Sequence, residues 1–344
     1  MPALLALADD LTGALEVGAK FAGRGIRSLV ATGSRSHSSH PVEVIDTETR
    51  HLTPQASAAV VSALAATATG IVYLKTDSTL RGNIAADFEA LARALPESAI
   101  AYVPAYPALG RTVRDGRLYV YGVPVHLTAF ARDPLNPIHG NSIRRLVREV
   151  SRCTVYDGET DADVARATAA ALGDPRCRIL AGPASVAAEI AARMAQSPVS
   201  VPGWPRIRRC LIVNGSRHEV SAGQIASAES EGCASSSADA AWRILRPPAE
   251  AGMSPVEIAC ATGGMVRECL AESQFDAVMV FGGDTAFGIL KALGCPPLEP
   301  LGEVITGVPV SRVMERNLYF ITKAGGFGDE PLIASAKHLL HGND

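Results

Sequence analysis

The 344-residue chain is 47% apolar, 19% charged and only 5% aromatic, with 31 glycines and a formal charge of −3. That length suits about two domains with substantial cores, and so small a charge gives no electrostatic argument for nucleic acid or an anionic membrane as partner. No run approaches the roughly eighteen apolar residues of a membrane helix, and seven scattered cysteines without a C-x-x-C pair read as small buried hydrophobes in a reducing compartment.

The N-terminus runs straight into Ala3-Leu-Leu-Ala-Leu-Ala8, without a basic region or a small-residue cleavage site, so a cytoplasmic location is expected. Leu4–Ala8 reads as a first strand, and a helix from about Thr12 to Ala22 follows it. Between them stand Asp9 and Asp10. Two adjacent carboxylates there either cap the helix, whose dipole favours negative charge, or meet a substrate hydroxyl or a magnesium ion; capping alone explains one of them.

A strand at Ser28–Thr32 leads to a Ser-rich loop in which His37 and His40 stand three apart, a spacing with no third metal ligand in sight. The next strand, Val42–Ile45, ends in Asp46-Thr-Glu-Thr-Arg50, where a guanidinium is suited to grip a carboxylate bidentately. A helix over Pro54–Ala66 is followed by the apolar run Ile71–Leu74 and then Lys75-Thr-Asp-Ser-Thr-Leu-Arg-Gly-Asn83. Ile84, Phe88, Leu91 and Leu95 then recur at helical steps. Strand, polar loop and helix in that order place Lys75, Asp77, Ser78, Thr79, Leu80 and Arg81 where ligands bind in an open parallel sheet, outside the strand's carboxyl end.

Ala99–Val103 is a further strand, and Pro104–Arg111 leads into a Gly-punctuated segment, Arg117–Thr128, that reads as an antiparallel hairpin. Asp133-Pro-Leu-Asn-Pro137 is a rigid turn, and Ser142–Val150 reads as a basic helix. Cys153–Tyr156, Asp161–Leu172, Arg178–Ala181 and Ser185–Ala195 alternate strand and helix, the spacing of βαβ units. Ser197–Arg209, with three prolines and no apolar period, is the expected boundary. The organisation predicted is therefore two α/β domains, residues 1–200 and 205–344. Each is a mainly parallel sheet flanked by helices, with a ligand cleft between them.

Beyond the boundary, strands are expected at Cys210–Val213, Trp242–Leu245, Ala277–Phe281 and Leu318–Ile321, with a β segment around Val304–Val310. Helices are expected through Gln224–Ile225, over Pro255–Ala271, up to Leu293 and over Leu332–Leu340. The strand-end loops here are glycine-rich with a hydroxyl or a lysine: Gly215-Ser216, Gly282-Gly283-Asp284-Thr285, and Lys323 followed by Gly325-Gly326. Glycine lets backbone N–H groups approach a phosphate at a helix N-terminus. Three such loops in succession point to a nucleotide, although neither a P-loop nor a G-x-G-x-x-G motif is present. In the first half the loops are acidic, hydroxylic and Arg-bearing, as a polyhydroxy acid requires. Acid on one side and nucleotide on the other is the layout of phosphoryl transfer.

Taken together, Ala8–Ala14, Asp46–Arg50, Lys75–Asn83, Pro104–Arg111 with Tyr119–Pro124, Asp133–Pro137, Gly282–Thr285 and Lys323–Gly328 resemble the four-carbon acid sugar kinase family nearly end to end. The resemblance implies ATP-dependent phosphorylation of a terminal hydroxyl on a small-molecule sugar acid, with Mg2+ as the metal of the nucleotide; a homodimer fits this reading. It implies substrate contacts at Asp9, Asp10, Arg50, Asp77 and Ser78 to Arg81. Asp10 would act as the acceptor-side base, with Arg81 and Arg50 on the carboxylate. Nucleotide contacts are implied at Ser216, Gly282 to Thr285 and Gly325 or Gly326, and Lys323 is expected, from its charge, to reach a phosphate. The chain departs from the family in reading Asn214-Gly-Ser-Arg-His218 where Ser-Gly-Ser-Cys-Ser is usual, in having Ala324 and Glu16, and in being shorter between Ser216 and Phe275. Two rival readings use the same anion loops: a regulatory sugar-acid-binding protein with a decayed nucleotide site, and a dehydratase or aldolase that needs no ATP.

Overall fold

The computed structural model describes residues 3–35, 39–133, 135–195, 203–248 and 252–341. His37 and the Ser197–Pro202 part of the expected boundary lie outside them. The chain divides into two compact units, residues 1–199 and 200–344.

The first unit is built on strands β1 (Leu4–Ala8), β2 (Ser28–Thr32), β3 (Val42–Asp46), β4 (Ile71–Lys75) and β5 (Ala99–Tyr102). The three strands that follow, β6 (Arg111–Arg114), β7 (Arg117–Val120) and β8 (Val123–Pro124), form a separate small sheet. Strands β9 (Cys153–Val155) and β10 (Cys177–Gly182) rejoin the large one. Its order is β2-β3-β1-β4-β10-β5-β9, every pair parallel. Such strands are covered on both faces and so read as continuous apolar runs; all five residues of β1 are buried. The covering helices are α1 (Leu11–Ala22), α2 (Pro54–Ala65), α3 (Ile84–Ala94), α5 (Asp161–Gly173) and α6 (Ala184–Met194). Helices α1, α2 and α5 start with side-chain caps. Thr53 accepts from Ala56 N with Pro54 in the first turn, and Thr160 and Asp163 form a capping box.

Two expectations for this unit need correction. The basic helix over Ser142–Val150 shrinks to the single turn α4 (Ile143–Leu146). Its buried residues are only Ile143, Val147 and Val150, too narrow a stripe to stabilise a helix this short. The expected hairpin is a three-stranded antiparallel sheet, β6-β7-β8. It is made by two two-residue turns, Asp115-Gly116 and Tyr121-Gly122, with positive φ at all four residues, the turn geometry that matches strand twist.

The second unit holds β11 (Cys210–Asn214), β12 (Trp242–Leu245), β13 (Ala277–Phe281), β14 (Leu298–Ile305), β15 (Val308–Val313) and β16 (Tyr319–Lys323). Its helices are α7 (Glu219–Ser230), α8 (Pro255–Glu272), α9 (Gly283–Ala292) and α10 (Leu332–His341). The order is β12-β11-β13-β16-β15-β14, parallel across the first four and antiparallel across the last two pairs. One β segment had been expected around Val304–Val310; there are two strands joined at Gly307. Pro300 hid the first of them: it sits at a register irregularity, where a missing N–H is tolerated. Trp242, Phe281, Ile321 and Ile333 belong to this unit's core. Helices α8 and α9 cross backbone to backbone, since a Cβ on Gly288 would stand 2.5 Å from the Ala259 carbonyl oxygen, and one on Gly263 would collide with the Gly288 carbonyl. Among the described residues no helix is long and apolar enough to cross a membrane. All seven cysteines are free thiols, but only Cys177 and Cys210 are buried, and Cys260 is exposed.

Candidate functional site

Parallel pairing sets the first group of residues side by side. Ala8 is in register with Asp46 on one side and Lys75 on the other. The loops after β1, β3 and β4 therefore leave the same edge of the sheet, and their charged side chains meet.

Asp10 is the N-cap of α1. Its carboxylate accepts from Gly13 N at 2.9 Å and from the Thr12 hydroxyl at 2.8 Å. The same group accepts from Arg50 Nη1 at 2.6 Å, while Arg50 meets Asp9 in a two-point fork, Nε to Oδ2 at 2.9 Å and Nη2 to Oδ1 at 2.7 Å. Of the readings of the paired aspartates, capping is seen at Asp10, and both carboxylates are engaged by Arg50. Asp77 Oδ2 lies 3.9 Å from the same guanidinium. Arg81 forks onto Asp77, Nη2 to Oδ2 at 2.7 Å and Nε to Oδ1 at 3.1 Å, and reaches Asp133 at 3.2 Å.

The 77–81 loop curls around the Asp77 carboxylate, which also accepts from Thr79 N at 2.9 Å, the Thr79 hydroxyl and Arg81 N at 3.3 Å. That curl puts Leu80 at φ +70, a conformation uncommon outside glycine. Ser78 is half-buried on the same turn. Gly82, at φ +86, passes so near Asp9 that a Cβ would stand 2.8 Å from its Oδ2. Asn83 Nδ2 donates to the carbonyls of Thr49 and Leu52, each at 3.0 Å, and ties this loop to the one after β3.

The charges here are strongly coupled. Burial works to raise the Asp77 carboxyl, but Arg81 and Arg50 outweigh it and hold it well below the usual carboxylate range. Asp10 is likewise lowered, with burial opposed by Arg50 and Lys75. Asp46 goes the other way: burial, then Glu48 and Asp10, raise it well above the ordinary value, and its Oδ2 is buried without a hydrogen-bond partner. The carboxyls of this cluster are thus pushed in opposite directions, Asp46 up and Asp10 and Asp77 down.

Sequence reasoning missed several members of this group. Asp133 was read only as part of a rigid turn, yet it holds Arg81, whose guanidinium also lies 5.6 Å from the Phe130 ring centre. Glu16 accepts from the Tyr106 hydroxyl at 3.0 Å, a tie between α1 and the loop after β5. The signal for Asp133 was present in its Asp-Pro-Leu-Asn-Pro setting; nothing local marked Phe130.

In the second unit the loops after β11, β13 and β16 also emerge together, since these strands are neighbours in the sheet. A Cβ on Gly215 would collide with the Thr285 side chain, one on Gly325 with the Ser216 hydroxyl, and one on Gly326 would stand 2.9 Å from His218 Nε2. The glycines let the three loops pack against each other. Gly282, at φ +107, starts α9 without a side-chain cap, and uncapped N–H groups in a first turn suit an anion. Asp284 is exposed there and Thr285 buried. Asn214 Oδ1 accepts from Ser216 N at 3.0 Å, and His218 Nδ1 from Val220 N at 3.2 Å as the N-cap of α7, so the departure at 214–218 still builds an ordered strand-to-helix turn.

Lys323 proves to be the last residue of β16 and is 1% exposed. Its ammonium donates to Ser221 Oγ at 3.2 Å, the Gly325 carbonyl at 3.0 Å and the Phe327 carbonyl at 2.8 Å. It lies 4.8 Å from the Phe281 ring centre. Burial pulls it down to about 8. Two of its protons go to the 324–328 loop and the third to Ser221 of α7. Among the described residues no three His, Cys, Asp or Glu side chains gather as a metal cage; magnesium held through nucleotide phosphates asks for only one or two carboxylates, and Asp284 stands exposed in the first turn of α9.

Residues 4–201 match the family model described as a sugar-binding N-terminal domain, and residues 248–333 match a nucleotide-binding C-terminal domain. The chain belongs to the four-carbon acid sugar kinase family. Among similar members, a D-threonate kinase of Bordetella bronchiseptica is 29% identical over 391 residues, covering 97% of this chain and 96% of that one. A 3-oxo-tetronate kinase of Brucella melitensis is 25% identical over 414 residues, with 97% and 95% covered. The crystal structure of a Salmonella typhimurium protein shares the fold at a TM-score of 0.79 and 20% identity, covering 97% of this chain and 98% of that one.

Proposed function

We propose that this sugar-acid kinase transfers the γ-phosphoryl group of ATP, bound as its magnesium complex, to the terminal hydroxyl of a four-carbon acid of the threonate, erythronate or 3-oxotetronate type. The observation that carries the reading is the Asp9, Asp10, Arg50, Asp77 and Arg81 cluster at the carboxyl ends of three neighbouring parallel strands. Asp10 orients the acceptor hydroxyl. Its lowered carboxyl makes it a weak base, which is enough where bond breaking runs ahead of proton loss. Ser78 and the left-handed turn at Leu80 present hydroxyl and backbone groups to the acid, and Arg81, the more exposed of the two arginines, meets its carboxylate. Arg50 fixes the two aspartates. In the second unit the first turn of α9, with Gly282 to Thr285, takes the phosphates, Asp284 faces the magnesium, and Ser216, Gly325 and Gly326 line the nucleotide.

The test is ADP release with magnesium and ATP across D- and L-threonate, D- and L-erythronate and the 3-oxotetronates, with longer aldonates as controls. Turnover confined to one four-carbon acid supports the reading and names the substrate. Silence with ATP still bound would move the substrate elsewhere, and silence without ATP binding would favour a regulatory role.

A further inference from the structure

Lys75 has no part in the assignments above, yet it occupies a costly position. It ends β4, in register with Ala8 of β1 and Gly182 of β10, so it stands in the interior of the sheet at the edge where the acidic loops gather. The residue is 6% exposed. Burying an ammonium is expensive unless it is paired and hydrogen-bonded, and among the described residues Lys75 makes neither a hydrogen bond nor a close ion pair. Lys323, the other buried lysine, has all three protons satisfied.

The direction of the side chain is fixed by Gly13 in the first turn of α1. A Cβ built there would stand 2.6 Å from Asp10 Oδ1 and 3.0 Å from Lys75 Nζ. Carboxylate and ammonium thus face one gap over the start of the helix, within about 6 Å of each other, close enough for each charge to feel the other. The Asp10 carboxylate is already engaged by Gly13 N, Thr12 and Arg50, which leaves the ammonium for something else. At the positive end of a helix, a buried ammonium that makes no hydrogen bond and meets the Asp10 carboxylate only at longer range has room for an anion brought by a ligand.

We propose that Lys75 is a catalytic residue that contacts the phosphoryl group as it reaches the acceptor hydroxyl held by Asp10. The inference rests on the kinase reading above. In the step concerned, the hydroxyl oxygen forms a bond to the γ-phosphorus and the bond from that phosphorus to the β,γ-bridging oxygen breaks. ADP leaves with the electron pair, and the hydroxyl proton passes to the Asp10 carboxylate. Negative charge spread over the equatorial oxygens is what an ammonium fixed at this point would stabilise. The small residue at position 13 keeps the gap open, since any side chain there would fill it.

The experiment uses the full chain with Lys75→Met and Lys75→Arg. With the best acid of the panel and saturating magnesium–ATP, K75M should lose at least about 100-fold in kcat. The KM for the acid and the Kd for ATP should stay near their wild-type values. Its Tm should stay near the wild-type value, because the ammonium makes no hydrogen bond and meets Asp10 only at longer range; a merely structural lysine would instead lower it. K75R should recover part of the kcat. Wild-type kcat in K75M would overturn this inference alone, as would a rise in KM with kcat intact or a Tm drop that accounts for the lost activity. Wild-type silence across the whole panel would overturn the kinase reading and this inference with it.

Discussion

Replacing Arg50 with Met tests how the acidic cluster is held together. The Arg50 side chain is 10% exposed and its partners Asp9 and Asp10 are 11% and 17% exposed, so removing the guanidinium strands two carboxylates, with Asp77 close by, in poor solvent. Breaking a buried pair from one side costs about 3–5 kcal/mol, a Tm loss on the order of 10 °C for a unit of this size. The pH dependence distinguishes this from ordinary packing loss. In the wild type, Asp10 and Asp77 titrate below their unfolded value of 3.8. Their contribution is therefore present above that value and is lost as the pH falls through the folded ones. Without Arg50, desolvation of Asp10 is opposed by Lys75, Thr12 and the Gly13 amide alone, its folded carboxyl rises, and the variant should lose less stability than the wild type on acidification towards pH 4. Thermal unfolding of both proteins from pH 4 to pH 8 measures this. A loss under about 1 kcal/mol, or parallel pH profiles, would refute the view that Arg50 is the cluster's counter-charge.

Arg81→Ala should raise the KM for the acid roughly tenfold or more, the loss of a charge-assisted hydrogen bond, with ATP titration calorimetry unchanged; steady-state kinetics showing an unaltered KM would remove Arg81 from the carboxylate. Lys323→Met should release the 324–328 loop, weaken ATP binding and cut turnover. Because the ammonium titrates near 8, wild-type ATP affinity should fall as the pH rises through that value while K323M stays flat. Asp87, buried against the Ser57 hydroxyl at 2.5 Å, is pushed up to about 7, chiefly by burial. Its ionisation penalty is absent below pH 3.8, grows up to about 7 and amounts to as much as about 4 kcal/mol above that. Asp87→Asn should match the wild type near pH 4 and exceed it in chemical denaturation at pH 8; equal stability at pH 8 would show that the carboxylate is ionised there without penalty.

Much of this was legible before any coordinates. The continuous apolar runs of β1, β4 and β13 located the sheet interior, and strand-loop-helix order put Asp9, Asp10, Arg50 and Arg81 at one edge. What failed was longer in range or masked locally. Pro300 disguised a strand, and the arginines around Ile143 gave a polar face with too little to bury. A two-residue difference in where β16 ends decided whether Lys323 reaches into open space or staples its own loop. Arg50 read as a ligand-binding cation because its partners Asp9 and Asp10 lie some forty residues away, and Arg81 because Asp133 lies farther still. Asp77, four residues before Arg81 in the same loop, was the one partner that local spacing could have paired.

The crossing of α8 and α9 bears on how the second unit tolerates change. Where helices touch through backbone, separated by no side chain that could re-pack, their spacing is a fixed dimension set by Ala259, Gly263 and Gly288. Helix α9 carries the glycine-rich turn at its front end, so that turn is held from behind by a neighbouring helix as well as from within. The chain can therefore lose residues between β11 and α8 without moving those amides, provided α8 keeps its small-residue face. A single methyl group at position 288 would disturb the turn more than the removal of an entire surface loop.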